Sequence, residues 1–174
     1  MSVSLVGALW PPGSFSTHVA LDCAADPVIF DWVSSVTESP YASCLLSGEL
    51  SDDLVRVAPH VLQLDAGSAF ARWFLGSWGK NYGVGVVVKK TVDPSVLRQH
   101  LTRVARVSLP DGGGAACFRF YDPRVLREHI KKATPQELNL LFGPIEQFVM
   151  ESDIEHQVTV FHTAHAPASS ANLE

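Results

Sequence analysis

Three Asp-Pro pairs, Asp26-Pro27, Asp93-Pro94 and Asp122-Pro123, constrain this chain more than any other feature. Each follows an apolar run and precedes residues at helical spacing. An N-cap aspartate accepts a hydrogen bond from a first-turn backbone N–H. Proline at the first helical position has its φ already set, and the N–H it lacks has no partner within the helix. The residue before a proline is also pushed out of the α region. An apolar strand that meets Asp-Pro must therefore stop and restart as a helix. Three such corners predict alternating strands and helices, with a sheet covered by helices.

The segments between the corners fill in the order. HVALDCA (His18–Ala24) reads as a buried strand and DPVIFDWVSSV as the helix after it. ASCLLSG reads as a second strand, closed by Gly48. LVRVAPHVLQL (Leu54–Leu64) is apolar and β-branched but interrupted by Pro59, which predicts an edge strand or two short extended pieces. Phe70, Trp73, Phe74 and Trp78 recur at helical spacing, and YGVGVVVK reads as a strand. Val96, Leu97, His100, Leu101 and Val104 mark one face of the helix opened by Asp93-Pro94. RVSL and AACFRFY flank PDGGG, which predicts a hairpin. After the third corner, Val125, Leu126 and Ile130 form an apolar side. Thr134, Pro135 and Glu137 make a capping box, FGPI ends that helix, and HQVTVFHT is the last strand. The expected fold class is α/β, with α+β as the alternative. A mixed β-sheet flanked by helices would form a single compact lobe over residues 1–163, followed by a flexible tail at 164–174.

Composition narrows the function classes. Hydrophobic residues make up 47% and charged residues 18%, the balance of a globular protein rather than a disordered one. A chain of 174 residues buries about two thirds of its unfolded surface, so it can fold without disulfides or a structural metal. The net charge of −5 argues against non-specific nucleic-acid binding. Cys23, Cys44 and Cys117 are odd in number and far apart, which fits reduced, mostly buried thiols. The N-terminus lacks the basic flank of a signal peptide, and no apolar run reaches about 18 residues. The expectation is a cytoplasmic protein that does not engage a membrane.

Catalytic and cofactor motifs do not assemble. GSWGKNYGVG lacks the Ser or Thr that must follow the lysine of a phosphate loop, and it lies between a helix and a strand rather than the reverse. No GxSxG elbow occurs. His156, His162 and His165 near the end form at most a weak metal site, and an exposed strand edge is the simpler reading. The expectation is no metal and no cofactor. His100, on an apolar helix face, reads as a core histidine bonded to backbone rather than a general base.

The segment FRFYDPRVLREHI (Phe118–Ile130) is the remaining candidate. Read as a strand, it alternates Arg119 against Phe118 and Phe120, and a covered Arg119 needs a counter-charge. Asp122 can cap the helix and accept from Arg119, while Arg124 and Arg127 are spaced to project together. The stretch is either a strand-to-helix corner pinned by a carboxylate or a catalytic site built on the same charges. The first is the better explanation, because ion-pair networks also imitate active sites.

VAPHVLQL, an aromatic helix ending in WG, LRQHLTRV, DGGGAACFRFYDPRVL and FGPI follow one another as in the domain of unknown function 4123 family, which the chain resembles from about Cys44 to Glu151. The resemblance maps the family's recurring pattern onto Arg119, Tyr121, Asp122, Pro123 and Arg124, and its His-Leu element onto His100 and Leu101. It implies an adaptor chaperone of bacterial type VI secretion. Such a protein binds a secreted toxic effector in the cytoplasm and helps load it onto the VgrG spike, without catalysis. Thr102 stands where the family often has arginine, with Arg103 one later. Many members also carry a long helical C-terminal lobe, so this is a short form or the second lobe is missing. Trp10, Trp32, Trp73 and Trp78 are candidate interface anchors, with Arg103 and Arg127 beside Trp73 and Trp78 in the expected partner-binding set. Two rival readings stand beside the adaptor. One is an enzyme acting on a small anionic substrate through Arg119, Arg124 and His100, and the other is a stand-alone regulatory binding module.

Overall fold

The computed structural model describes residues 4–108, 115–154, 157–163 and 169–172. The chain runs α1 (Leu5–Leu9), β1 (Phe15–Asp22), α2 (Pro27–Val36), α3 (Pro40–Ser43), α4 (Asp52–Val57), β2 (Pro59–Gln63), α5 (Ala69–Gly76) and β3 (Gly83–Lys89). It continues through α6 (Pro94–Ala105), β4 (Arg106–Ser108), β5 (Ala115–Cys117), α7 (Pro123–Lys132), α8 (Pro135–Phe142), β6 (Ile145–Glu151), β7 (Gln157–His162) and β8 (Ser169–Asn172). All three Asp-Pro corners form. Asp26, Asp93 and Asp122 accept from the amides of Val28, Ser95 and Arg124, and the proline opens each helix. The capping box at Thr134 and Glu137 is complete.

Among the described residues six strands make the main sheet in the order β2-β1-β3-β6-β7-β8, and β4 and β5 form a separate ribbon. Every neighbouring pair in the main sheet is antiparallel, so the sheet is not mixed as the sequence predicts. The reason lies in β1. The link β2–α5–β3 joins two strands that run the same way, but β1 sits between them and pairs antiparallel with both. Helices flank the sheet, as expected for a compact α/β fold.

Alternation along the strands divides the core in two. Val19, Leu21, Val87 and Val149 face Leu9 of α1, Ile29 and Val33 of α2, and Phe70 and Phe74 of α5. Ala20, Val84, Val86, Val88, Phe148 and Met150 face Leu97 and Leu101 of α6, Leu126 of α7, and Leu141 and Phe142 of α8. α1, α2 and α5 cover one face, and α6, α7 and α8 cover the other.

Several elements differ from the sequence expectation. ASCLLSG is not a strand: Pro40–Ser43 is a short helix, and Cys44 makes one isolated bridge to His60. Leu54–Val57 belongs to α4, whose Ser51 cap accepts from the Leu54 amide and whose first turn carries Asp52 and Asp53. Pro59 then starts the edge strand β2, where its missing N–H costs the ladder nothing. β6 is a central strand that the sequence reading does not contain. Its apolar residues do not alternate, because both its faces are covered and a bulge opposite Val87 and Val88 shifts its register. Gln147, on a buried face of β6, donates to the Ala8 carbonyl at 2.6 Å. β4 and β5 pair as the predicted hairpin, while its PDGGG turn lies outside the described residues. Of the expected tail, 169–172 pairs with β7 as β8. The rest, from 164 to 168 and 173 to 174, lies outside the described residues.

The β1–β3 pairing demands a glycine. A Cβ at Gly83 would sit 2.5 Å from the Ala20 carbonyl oxygen, which is held in the strand ladder. Gly83→Ala is expected to lower stability by about 2 kcal/mol or more, as overpacking against immovable backbone does. Urea unfolding measures it, and an unchanged midpoint would contradict the tight pairing.

Candidate functional site

The third corner brings together two buried carboxylates, Asp22 and Asp122. The Asp122 side chain is only 3% exposed, and one Arg124 side chain covers both its oxygens, Nε to Oδ1 at 2.9 Å and Nη2 to Oδ2 at 2.8 Å. The Arg124 amide also donates to Oδ1 at 3.0 Å. The carboxylate therefore caps α7 and takes a bidentate guanidinium at once, the stronger form of charge-assisted bond. Burial pushes the Asp122 carboxyl up. The Arg124 hydrogen bonds and the charges of Arg124 and Arg119 outweigh it and hold the group below its ordinary value.

Arg119 is not in a strand. Phe118 to Tyr121 form an irregular link between β5 and α7. Phe120 is fully buried against the core, while Arg119 is half exposed. Its principal partner is Asp22, at the end of β1, at 2.6 Å, and Asp122 is second at 3.6 Å. The result is an alternating chain of charges, Asp22, Arg119, Asp122 and Arg124, that ties α7 to β1. Asp22 is the member sequence reasoning missed. Its signal is a lone carboxylate at the end of an apolar strand, which becomes 3% exposed once the sheet forms. Tyr121 is buried with its hydroxyl 3.5 Å from Cys117 Sγ, and burial pushes the phenol up. Pro123 is buried at the start of α7.

The other candidates scatter. Arg124 and Arg127 do not project together: Arg124 is exposed, and Arg127 is buried, donating to the Glu151 carbonyl at 2.6 Å. Trp73 is half-buried, stacked between Trp32 at 5.4 Å and Tyr82 at 6.2 Å on the opposite side of the sheet from α7. Trp78 packs edge-on against Phe74 in the same cluster. Cys23 and Cys44 are buried free thiols, Cys23 pushed up to about 12 by burial, whereas Cys117 is exposed. His156 and His165 lie outside the described residues.

His100 is buried and its Nε2 meets the Leu141 carbonyl at 2.8 Å, the backbone partner expected from sequence. It lies at the foot of an open groove of about 750 Å³. The walls are Arg103 and Val104 of α6, then Arg106, Phe118, His129 of α7 and Leu140 of α8. Phe118 and His129 pack with their rings tilted by 54° and centroids 4.6 Å apart, and Leu140 is 75% exposed. Neither Arg119 nor Arg124 lines this groove.

Three buried histidines among the described residues make the fold sensitive to acid. Burial pulls His18, His60 and His100 below the ordinary value of 6.5. The unfolded chain takes up protons on these rings below about pH 6.5, while the folded chain resists them. Their contribution to stability is whole above that pH and is lost as pH falls through it toward the lower folded-state values. Glu151, which burial pushes up, acts in the opposite sense above its ordinary 4.5, as one group against three. The urea midpoint is expected to fall between pH 7.5 and pH 5.5, before most carboxylates titrate. A flat profile over that range would contradict it.

Among the described residues no helix is long and apolar enough to cross a membrane, and no group of His, Cys, Asp and Glu is placed to hold a metal ion. The family model described as a domain of unknown function (DUF4123) matches residues 19–140, well over half the chain. No curated protein and no solved structure matches.

Proposed function

The chain belongs to the domain of unknown function 4123 family, and on that premise we propose that it is a non-catalytic adaptor chaperone. In this reading it binds a secreted toxic effector in the cytoplasm and aids its loading onto the VgrG spike of a type VI secretion system. The observation that carries the reading is how the motif spends its charges. Arg119, Asp122 and Arg124 are engaged with one another and with Asp22, and so hold α7 against β1. That leaves the outer surface, with its apolar groove, as the place for a partner.

An enzyme acting on a small anion through Arg119, Arg124 and His100 would need the three around one cavity. His100 opens onto a groove whose walls hold neither arginine. The adaptor reading is tested by capture of the effector encoded beside it, and of VgrG, on the purified chain. Deletion should also lower effector secretion with effector levels intact. A chain with no affinity for either protein would sink the proposal.

A further inference from the structure

We infer that the groove between α6, α7 and α8 docks an acidic amphipathic helix of the partner, apolar side chains inward and carboxylates toward Arg103 and Arg106. This rests on the adaptor reading and adds the surface and the chemistry of what it takes.

The apolar part of the surface exceeds what the fold needs. Leu141 and Phe142 of α8 are buried in the core at 4% and 3% exposure, but Leu140 is 75% exposed. It shares the groove with Val104 and Phe118, neither of them fully buried. Such a patch rimmed by charge is the usual form of a binding surface.

The charge that rims it is unspent. Among the described residues Arg103 and Arg106 make no ion pair and no side-chain hydrogen bond, while Lys131, Lys132, Arg119 and Arg124 are each matched to a carboxylate. The groove's own carboxylate, Glu137, is taken up by the Thr134 amide at 2.7 Å and its hydroxyl at 2.9 Å. In a chain of net charge −5, two guanidiniums beside this apolar surface thus have no carboxylate partner among the described residues. Complementary potential selects carboxylates there.

A small molecule fits poorly, because ligand pockets fix their occupant with convergent buried polar groups. Here His100 Nε2 is spent on Leu141, and the arginines are exposed. A strand fits less well, because the β4–β5 ribbon it would have to extend reaches the groove only at Arg106 and, just past β5, at Phe118. The walls are mainly side chains of three helices, the setting in which a further helix lays its apolar face.

The test uses the full chain and a labelled designed helix of about 18 residues, Leu on one face and Glu beside it, long enough to hold its form. A counterpart with Lys for Glu is the control. The Glu helix should bind saturably and the Lys helix should not. Arg103→Glu with Arg106→Glu, and separately Leu140→Asp, should each weaken binding at least about tenfold with an unchanged melting temperature. Equal binding of both helices, or binding indifferent to the variants, overturns the inference. So does a dimer in light scattering that Leu140→Asp dissolves, since a second copy would then cover the groove. If the effector encoded beside it is still captured by both variants, this inference fails and the adaptor reading stands. If wild type binds the Glu helix at the groove but captures no effector, the adaptor reading fails and the groove assignment stands.

Discussion

Arg119→Ala should destabilise the protein by about 3 kcal/mol, and Arg124→Ala by only about 1 kcal/mol. The two arginines have similar exposure, 50% and 63% at the side chain, so the difference comes from what each leaves behind. Without Arg124, Asp122 keeps the α7 amide at 3.0 Å and Arg119 at 3.6 Å. Without Arg119, the Asp22 carboxylate keeps only the Ala24 amide at 3.2 Å among the described residues, and it is 3% exposed. A buried carboxylate stripped of its counter-ion costs about 3–5 kcal/mol, and the lower end applies because water can enter where half of Arg119 was exposed. At this chain length each kcal/mol moves the melt by about 2–4 °C, so the two variants should separate by several degrees. Equal melts would mean that Asp22 is solvated and that Arg119 is not its anchor.

Gly143→Ala should be at least as damaging, about 3 kcal/mol or more. Two costs add. Gly143 has φ +48° and ψ −113°, a conformation that a side chain strains by about 1–3 kcal/mol. An added Cβ would also collide with the His100 ring at Cε1 and sit 2.7 Å from Nδ1, and the Leu141 carbonyl holds that ring in place. Adding His100→Ala to Gly143→Ala should relieve the steric part. The double variant should then lose less than the sum of the singles, by about 1 kcal/mol. Strict additivity in chemical unfolding would place the ring elsewhere. Gly143 also lines the groove, so partner binding should weaken with the fold.

What the sequence made legible was local. Asp26, Asp93, Asp122, Thr134 and their prolines announce helix starts because a cap needs only neighbours along the chain. The family resemblance likewise matched residues that fold into the corner and the His100 contact. Long-range pairing was not legible. Asp22 is 97 residues from Arg119, and nothing local marks it as the counter-ion. β6 escaped notice because a strand buried on both faces loses its alternation, and its register shifts at Val87 and Val88. The antiparallel sheet escaped for a related reason: alternating strands and helices also describe a fold in which β1 is inserted between two strands that a single helix connects. The groove needed α6, α7 and α8 in place before Arg103, Phe118 and Leu140 could share a wall.

If the charged motif is a fastening between helix and sheet, Asp22 depends on Arg119. The most direct test is the melting temperature of Asp22→Asn combined with Arg119→Ala, compared with Arg119→Ala alone. Asparagine keeps an oxygen for the Ala24 amide and removes the stranded charge, so the double variant should melt several degrees higher than the single one. A double variant that melts at or below the single would contradict the fastening, because Asp22 would then not depend on Arg119.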